Sequence, residues 1–132
     1  MQIVIDADNA ILGRLAAFAA KQALNGNHIV IVNSEKAIII GGEKDILAKY
    51  KKRRARGKGS LKGPYFPSKP AAILKRVIRG MLPYKKAHGK EAFKRTRCYE
   101  GLPTKYKDAK KIISKREKPF KFITLEKLCK LL

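Results

Sequence analysis

Apolar positions near the start of the chain follow two patterns, one typical of buried strands and one typical of an amphipathic helix. Residues 2–5 form a short apolar run, and residues 28–33 place four β-branched residues in succession, as strands buried on both faces of a parallel sheet do. Between them, residues 11–24 are rich in Ala and Leu and are followed by Asn25 and Gly26, which predicts a helix and its end. Strand, helix and strand in succession predict a βαβ unit.

Shorter apolar segments follow this unit. Residues 37–42 predict another short buried strand that ends in two glycines, and residues 43–56 predict a helix whose second half is strongly basic. Helical spacing returns at residues 71–82, where apolar and cationic side chains fall on opposite halves of the helical wheel. The apolar half that we expect to pack consists of Ile73, Leu74, Val77, Ile78, Met81 and Leu82.

The C-terminal part of the chain predicts further short elements. Residues 89–95 predict a short helix, and residues 96–100 predict a final strand. From Thr124 onward, leucines recur at helical spacing, so this segment is predicted to be a helix capped by the Thr124 side chain. We expect that helix to dock back on the core.

Length and composition predict one folded domain. The chain has 132 residues, of which 45% are apolar, so it is about one domain long and can bury a core. Six glycines and prolines between residues 57 and 70 exclude a regular element there and predict a long loop. We therefore expect a single α/β domain over residues 1–132, with a basic arm and loop at 49–70.

Charge is distributed very unevenly along the chain. Residues 1–48 hold 4 Lys and Arg against 5 Asp and Glu, whereas residues 49–132 hold 28 against 5, for a net charge of +22. Such a surplus repels itself unless a polyanion supplies counter-charge, which indicates a nucleic-acid partner.

The chain lacks the patterns of a membrane protein or a secreted protein. No apolar run approaches the roughly 20 residues that are needed to span a bilayer. The first residues also lack the basic and apolar regions of a secretory signal. We therefore expect a soluble, cytoplasmic protein with neither a membrane nor a small-molecule substrate among its partners.

Two basic segments are the candidate nucleic-acid contacts. The first, residues 49–63, carries eight cations and no acid, and its glycines let a polymer backbone approach closely; the alternative is a solvated surface. The second, residues 75–97, joins the cations of one helix face to those of the following loop in one track for an RNA backbone. The predicted RNA-binding residues are Lys49, Lys51, Lys52, Arg53, Arg54, Arg56, Lys58, Lys62, Lys69, Lys75, Arg76, Arg79, Lys85, Lys86, His88, Lys90, Lys94, Arg95 and Arg97.

Two aromatic residues, Tyr65 and Phe66, lie in the proline-flanked loop between these segments. An aromatic ring there can stack on an unpaired base, as in many single-stranded RNA sites. It can equally anchor the loop to the protein's own core, which is the more common role. Both interpretations stay open, and anchoring is favoured.

Candidate catalytic and metal-binding residues are few. Asp6 and Asp8 follow the first strand, where α/β enzymes place their chemistry, but their position before a helix favours capping. The turn after that strand has one glycine where a dinucleotide site needs three, and His88 lies among lysines, which favours a phosphate contact over catalysis. We therefore predict no catalytic residue, no metal site and no cofactor.

Four other residues are expected to have structural roles. Cys98 and Cys129 lack the spacing of a metal site or of a disulfide framework, so both are expected to be buried or half-buried thiols. A disulfide between them is the alternative. His28 precedes a buried strand and is expected at its edge or in the core, and Gly13 is expected to permit close helix–sheet packing.

The segment at residues 78–101, IRGMLPYKKAHGKEAFKRTRCYEG, resembles the signature of the thirteenth large-subunit ribosomal protein family. VIDADNAILGRLAA near the start and residues 32–42 also look like family segments, so the resemblance covers almost the whole chain. Thr96 and Cys98 stand where the family usually has aliphatic residues. The signature residues present here are Gly80, Met81, Leu82, Pro83, Gly89, Tyr99 and Gly101.

The resemblance implies a fold and a role. The fold is a three-layer α/β/α arrangement around a four-stranded parallel sheet, and the compact form is similar to the archaeal and eukaryotic branch. The implied role is structural: the protein assembles into the large ribosomal subunit by binding its rRNA, beside neighbouring ribosomal proteins.

We expect the N-terminal βαβ unit to serve as a rigid platform from which the two basic segments clamp several RNA helices. Recognition would then rest on shape and phosphate position more than on base identity. Two alternatives remain open. One is a metal-dependent nucleic-acid enzyme that uses Asp6 or Asp8, and the other is a regulatory RNA-binding module that acts outside the ribosome.

Overall fold

The structure is a computed structural model that describes residues 2–56, 66–107 and 121–132, together with the backbone of residues 111–113. The strands are β1 (Gln2–Asp6), β2 (His28–Val32), β3 (Ile38–Ile40), β4 (Thr96–Cys98), β5 (Lys111–Ile113) and β6 (Phe122–Thr124). The α-helices are α1 (Leu12–Leu24), α2 (Glu43–Ala55), α3 (Pro70–Met81), α4 (Ala87–Lys94) and α5 (Leu125–Leu131). Two short 3-10 helices lie at Ser34–Lys36 and Thr104–Tyr106.

The main sheet is parallel and has the strand order β4-β2-β1-β5. Ile3 of β1 lies opposite Ile29 of β2, and that residue lies opposite Thr96 of β4. The βαβ unit formed by β1, α1 and β2 is present as predicted, because the apolar runs of both strands pair directly. The predicted α/β class with a parallel sheet is confirmed.

The two faces of this sheet are covered differently. Ile5, Ile29 and Ile31 belong to the main apolar core, to which all five α-helices contribute buried side chains. The other face carries Val4, Val30 and Val32, which pack with Tyr106 and Tyr99. Among the described residues this second face has no helical layer, so the three-layer prediction is not confirmed.

The segment at 37–42 forms a strand, but the prediction that it is buried is wrong. Strand β3 lies outside the main sheet and pairs antiparallel with β6 in a two-stranded sheet. Its exposure rises from 1% at Ile38 to 52% at Ile40, because the strand leaves the core after its first residue. Strand β4 is also not the final strand, since β5 and β6 follow it in sequence.

Helix α3 shows which part of the predicted apolar face is correct. Ile73, Leu74 and Ile78 are fully buried, whereas Val77 is half-buried. Met81 is 44% exposed, which contradicts its predicted place in the core. It is the last residue of the helix, next to the buried Leu82.

The predicted capping of α1 by Asp6 or Asp8 is wrong. The N-cap residue is Ile11, and no side chain accepts a hydrogen bond there. Asp6 Oδ1 accepts instead from the Asp8 backbone N–H at 3.0 Å and from Asn33 Nδ2 at 3.1 Å. The carboxylate therefore closes the turn after β1 and ties it to the end of β2.

Two other local predictions differ in outcome. At α5, Thr124 Oγ1 accepts from the Lys127 backbone N–H at 3.2 Å, which confirms the predicted cap. At α1, Gly13 is exposed and a Cβ placed on it would meet nothing within 4 Å, so its predicted role in close packing is wrong.

None of the described helices is long and apolar enough to cross a membrane.

Candidate nucleic-acid interface

Helix α2 carries the described part of the first basic segment. Ile46 and Tyr50 bury one side of the helix in the core, which leaves the lysines of its last two turns exposed. Its acids lie in the first turn, and its last turn carries Lys52, Arg53 and Arg54, an arrangement that complements the helix dipole. The core thus fixes the direction in which this cationic end points.

The C-terminal end of α2 and the second half of α3 enclose a cleft of about 380 Å³, which we call the arginine cleft. No carboxylate contributes to the lining that the structure describes. Guanidinium groups converge there from two helices and from the residue that follows α2. The lining residues are Arg53, Arg56, Phe66, Arg76, Val77, Arg79, Gly80 and Tyr84.

Aromatic rings position the guanidinium groups of this cleft. The Arg53 Cζ atom lies 5.2 Å from the ring centroid of Tyr50 and 5.8 Å from that of Phe66. Arg76 Cζ lies 5.2 Å from the same Phe66 ring, which packs edge-on against Tyr50 with 5.5 Å between centroids. Such cation–π contacts favour held guanidinium positions over freely rotating ones.

Phe66 is therefore an anchor for the loop before α3. It is half-buried, packs against the main core and lies between two arginines. This supports the favoured interpretation for Phe66, while Tyr65 lies outside the described residues.

Arg79 lies in the same cleft and packs on an aromatic ring. Its Cζ lies 5.2 Å from the ring centroid of Tyr84, which is 40% exposed. Its Nε atom is buried and has no hydrogen-bond partner among the described residues. A buried donor without an acceptor is costly to stability.

A second basic cleft, of about 290 Å³, lies by the edge strand β4. Tyr99 and Tyr106 stack at 5.9 Å between ring centroids and form part of its wall. We call this the tyrosine cleft. Its cationic and histidine side chains are His28, Lys94, Arg95, Arg97 and Lys105.

Helix α3 carries cations to two parts of the surface. Arg76 and Arg79 line the arginine cleft, whereas Lys75 places its Nζ 5.0 Å from the Phe93 ring centroid on the side of Lys94 and Arg97. One helix therefore supplies cations both to the arginine cleft and to the surface beside Lys94 and Arg97.

Most of the predicted RNA-binding residues are solvent-accessible. Exposed among them are Lys49, Lys51, Lys52, Arg56, Lys69, Lys85, Lys86, His88, Lys90, Lys94 and Arg97. Half-buried are Arg53, Arg54, Lys75, Arg76, Arg79 and Arg95. Lys58 and Lys62 lie outside the described residues.

Arg95 also has a structural role that the sequence did not indicate. Its Nη2 donates to the Ala23 carbonyl oxygen at 2.8 Å, so the guanidinium binds the end of α1. In contrast, Lys105 and Tyr84 line the clefts but were absent from the predicted set. Lys105 Nζ lies 5.6 Å from the ring centroid of Tyr106, the next residue in sequence. The basic composition of this segment could have suggested Lys105 as a candidate.

The two cysteines are free thiols of intermediate exposure, as predicted. Burial raises the pKa of the Cys98 thiol to about 12, and the charge of Lys75 offsets only part of this rise. Burial and the carboxylate of Glu100 raise the pKa of Cys129 to about 11, against the opposing charge of Arg54. Both thiols are therefore protonated near neutral pH.

Acidic groups are sparse around these clefts. The exposed ion pairs Lys127–Glu43, at 3.0 Å, and Lys130–Glu126, at 3.4 Å, use lysines of α5 outside the predicted set. Over the described ranges, His, Cys, Asp and Glu form no group of three or more that could hold a metal ion.

Comparison with known proteins agrees with the sequence resemblance. A family model described as ribosomal protein L13 matches residues 1–105. The large ribosomal subunit protein uL13 of Methanosarcina barkeri is 53% identical over 110 residues, which cover 83% of this chain and 78% of the relative. The protein of the same name from Archaeoglobus fulgidus is 42% identical over 137 residues, covering 98% of this chain and 86% of the relative. With the family match spanning most of its length, the chain belongs to the ribosomal protein L13 family.

Proposed function

We propose that this chain is a structural constituent of the large ribosomal subunit that binds large-subunit rRNA and supports subunit assembly. Family membership supports the ribosomal role, since the relatives are named as large-subunit proteins. The arginine cleft carries the proposal of direct RNA binding. Three of its four guanidinium groups, those of Arg53, Arg76 and Arg79, lie over aromatic rings, and no carboxylate contributes to the described lining.

Guanidinium groups suit this role because each presents a planar fork of donors that matches a phosphate. Guanidinium groups held in place lose less conformational entropy on binding than mobile ones. Neutralising RNA phosphates also releases condensed counterions, which drives association at low and moderate salt. The cleft therefore binds RNA backbone through preorganised cations.

The position of α3 supports binding of more than one RNA segment. Arg79 serves the arginine cleft on one side, while Lys75 extends toward Arg97 by the tyrosine cleft on the other. Because Ile73 and Ile78 fix this helix in the core, the two sites keep a constant separation. The protein thus clamps RNA segments at a defined spacing and recognises their shape.

The proposal predicts a specific loss when two cleft arginines are removed. A variant with both Arg53→Ala and Arg56→Ala should bind large-subunit rRNA more weakly. Its log–log dependence of affinity on salt should be shallower by about one unit per lost phosphate contact. Filter binding across a salt series measures both quantities, and thermal unfolding checks that the variant is folded.

The matched control removes the same charge away from the cleft. Lys21 and Lys36 are exposed and lie outside the cleft lining, so the variant with both Lys21→Ala and Lys36→Ala should keep the slope of the unchanged protein. An equal loss of slope in the two variants would show that only overall charge matters. Cofractionation of each variant with large subunits in cells would then report on assembly.

A further inference from the structure

The arginine cleft has a mixed lining that a phosphate site alone does not require. Its cations accompany the apolar side chains of Phe66, Val77 and Tyr84, and its volume of about 380 Å³ falls in the usual range of small-ligand pockets. The backbone of an RNA duplex is convex and contacts exposed cations on a surface. A concave site that combines guanidinium groups with apolar walls matches a nucleotide, which has one anionic end and one flat, weakly polar end.

Gly80 adds an independent observation. This helical residue lines the cleft, and a Cβ placed on it would meet nothing within 4 Å. Glycine within a helix lowers stability relative to alanine, and neighbouring protein atoms among the described residues give no steric reason for it here. Gly80 is exposed, so the space beside it is open to solvent and free of the described protein atoms.

Tyr84 and Arg79 lie side by side in the cleft, with Arg79 Cζ 5.2 Å from the Tyr84 ring centroid. The Tyr84 ring is 40% exposed, and aromatic rings of this kind stack on unpaired bases. Arg53 and Arg56 come from the end of α2 and the residue after it, which form the other wall of the cleft.

We propose that the arginine cleft receives one unpaired nucleotide of the bound RNA. Its phosphate lies beside the guanidinium groups of Arg53 and Arg56, and its base lies against Tyr84 beside Gly80. This inference rests on the proposed function, because it specifies what part of the RNA enters the same site.

The first test separates loss of a base contact from loss of a phosphate contact. Replacing Tyr84→Leu keeps apolar volume but removes the ring. Affinity for large-subunit rRNA at fixed salt should fall roughly 5- to 150-fold, the range found when one base loses its stacking partner. The salt slope should stay that of the unchanged protein, because no phosphate contact is lost.

The control is Tyr84→Phe, which keeps the ring and should bind nearly as the unchanged protein does. Unchanged affinity of the Tyr84→Leu variant would overturn the inference and indicate a cleft for phosphate alone. A loss of about one unit of slope in Tyr84→Leu would also overturn it, because the ring would then serve only to position Arg79.

The second test uses the unaltered protein, so it does not depend on the folding of a variant. The probes are an RNA hairpin with a single bulged 2-aminopurine and the same hairpin fully paired. The bulged hairpin should bind more tightly, and stacking of its base should quench the 2-aminopurine fluorescence. Equal binding without quenching would contradict the inference. The proposed function itself would fail only if the protein showed no preference for large-subunit rRNA.

Discussion

Gly80 and Gly89 belong to the same signature segment but have opposite surroundings. A Cβ on Gly89 would lie 1.9 Å from the carbonyl oxygen of Pro83, whereas one on Gly80 would meet nothing within 4 Å. Gly89 is buried where α4 packs against the turn that follows α3. One glycine is thus required by the protein's own backbone, and the other faces open space.

Replacing Gly89→Ala should lower the free energy of unfolding by about 1–3 kcal/mol, since backbone must move to admit the methyl group. Urea unfolding measures this change. Gly80→Ala is the control and should cause no loss of stability, because alanine is the better helix former. Equal stability of the two variants would contradict the close approach at Gly89.

The raised pKa of Cys98, about 12, predicts slow reaction with iodoacetamide at pH 8 in the folded protein and fast reaction in denaturant. Cys129, with a pKa of about 11, should react sooner than Cys98.

The raised thiol pKa values also make stability depend on pH. Because an unfolded thiol ionises near its ordinary pKa of about 8.5, the unfolded state binds fewer protons than the folded state above that pH. This contribution to stability is therefore complete below about pH 8.5 and is lost as pH rises toward the folded values. Rapid alkylation of folded Cys98 at pH 8 would contradict the assigned burial.

At the scale of elements, α3 joins the core to both clefts. Its buried side is formed by Ile73, Leu74 and Ile78, and its flanks carry the cations that reach opposite sides. A change on the buried side should therefore affect stability, whereas a change at the exposed end should not.

Ile78→Ala should destabilise the protein by about 2–4 kcal/mol, because it leaves a cavity in a fully buried position. Met81→Ala should change stability by less than about 0.5 kcal/mol, since Met81 is 44% exposed. Chemical denaturation of both variants tests the assigned faces. A larger loss for Met81→Ala would mean that the end of α3 is packed differently.

Helical periodicity predicted α1 and α3, and uninterrupted apolar runs predicted the paired strands β1 and β2. The same patterns failed for the burial of β3 and missed β5 and β6, which are three residues long and pair with distant segments. The role of Asp6 also depends on Asn33, a partner 27 residues away that local capping rules do not include.

The candidate site was predictable in composition and not in arrangement. Sequence identified the cations, but their convergence on Phe66 and Tyr84 depends on how α2 meets α3. It also included Arg95 without showing that this guanidinium binds the Ala23 carbonyl, because that contact joins α1 to a segment 72 residues later.

At the scale of the whole molecule, the net charge of +22 is concentrated after residue 48, and the described cations line two clefts. Counterion release from such a surface gives affinity for any RNA. Preference for one RNA requires that spacing and shape match as well.

The most direct measurement is retention of the purified protein on large-subunit rRNA across a salt series, with an unrelated structured RNA as competitor. We predict that both RNAs bind at low salt and that the preference for large-subunit rRNA persists at high salt, where charge attraction alone is weakened. Equal loss from both RNAs as salt rises would contradict a shaped rRNA-binding site.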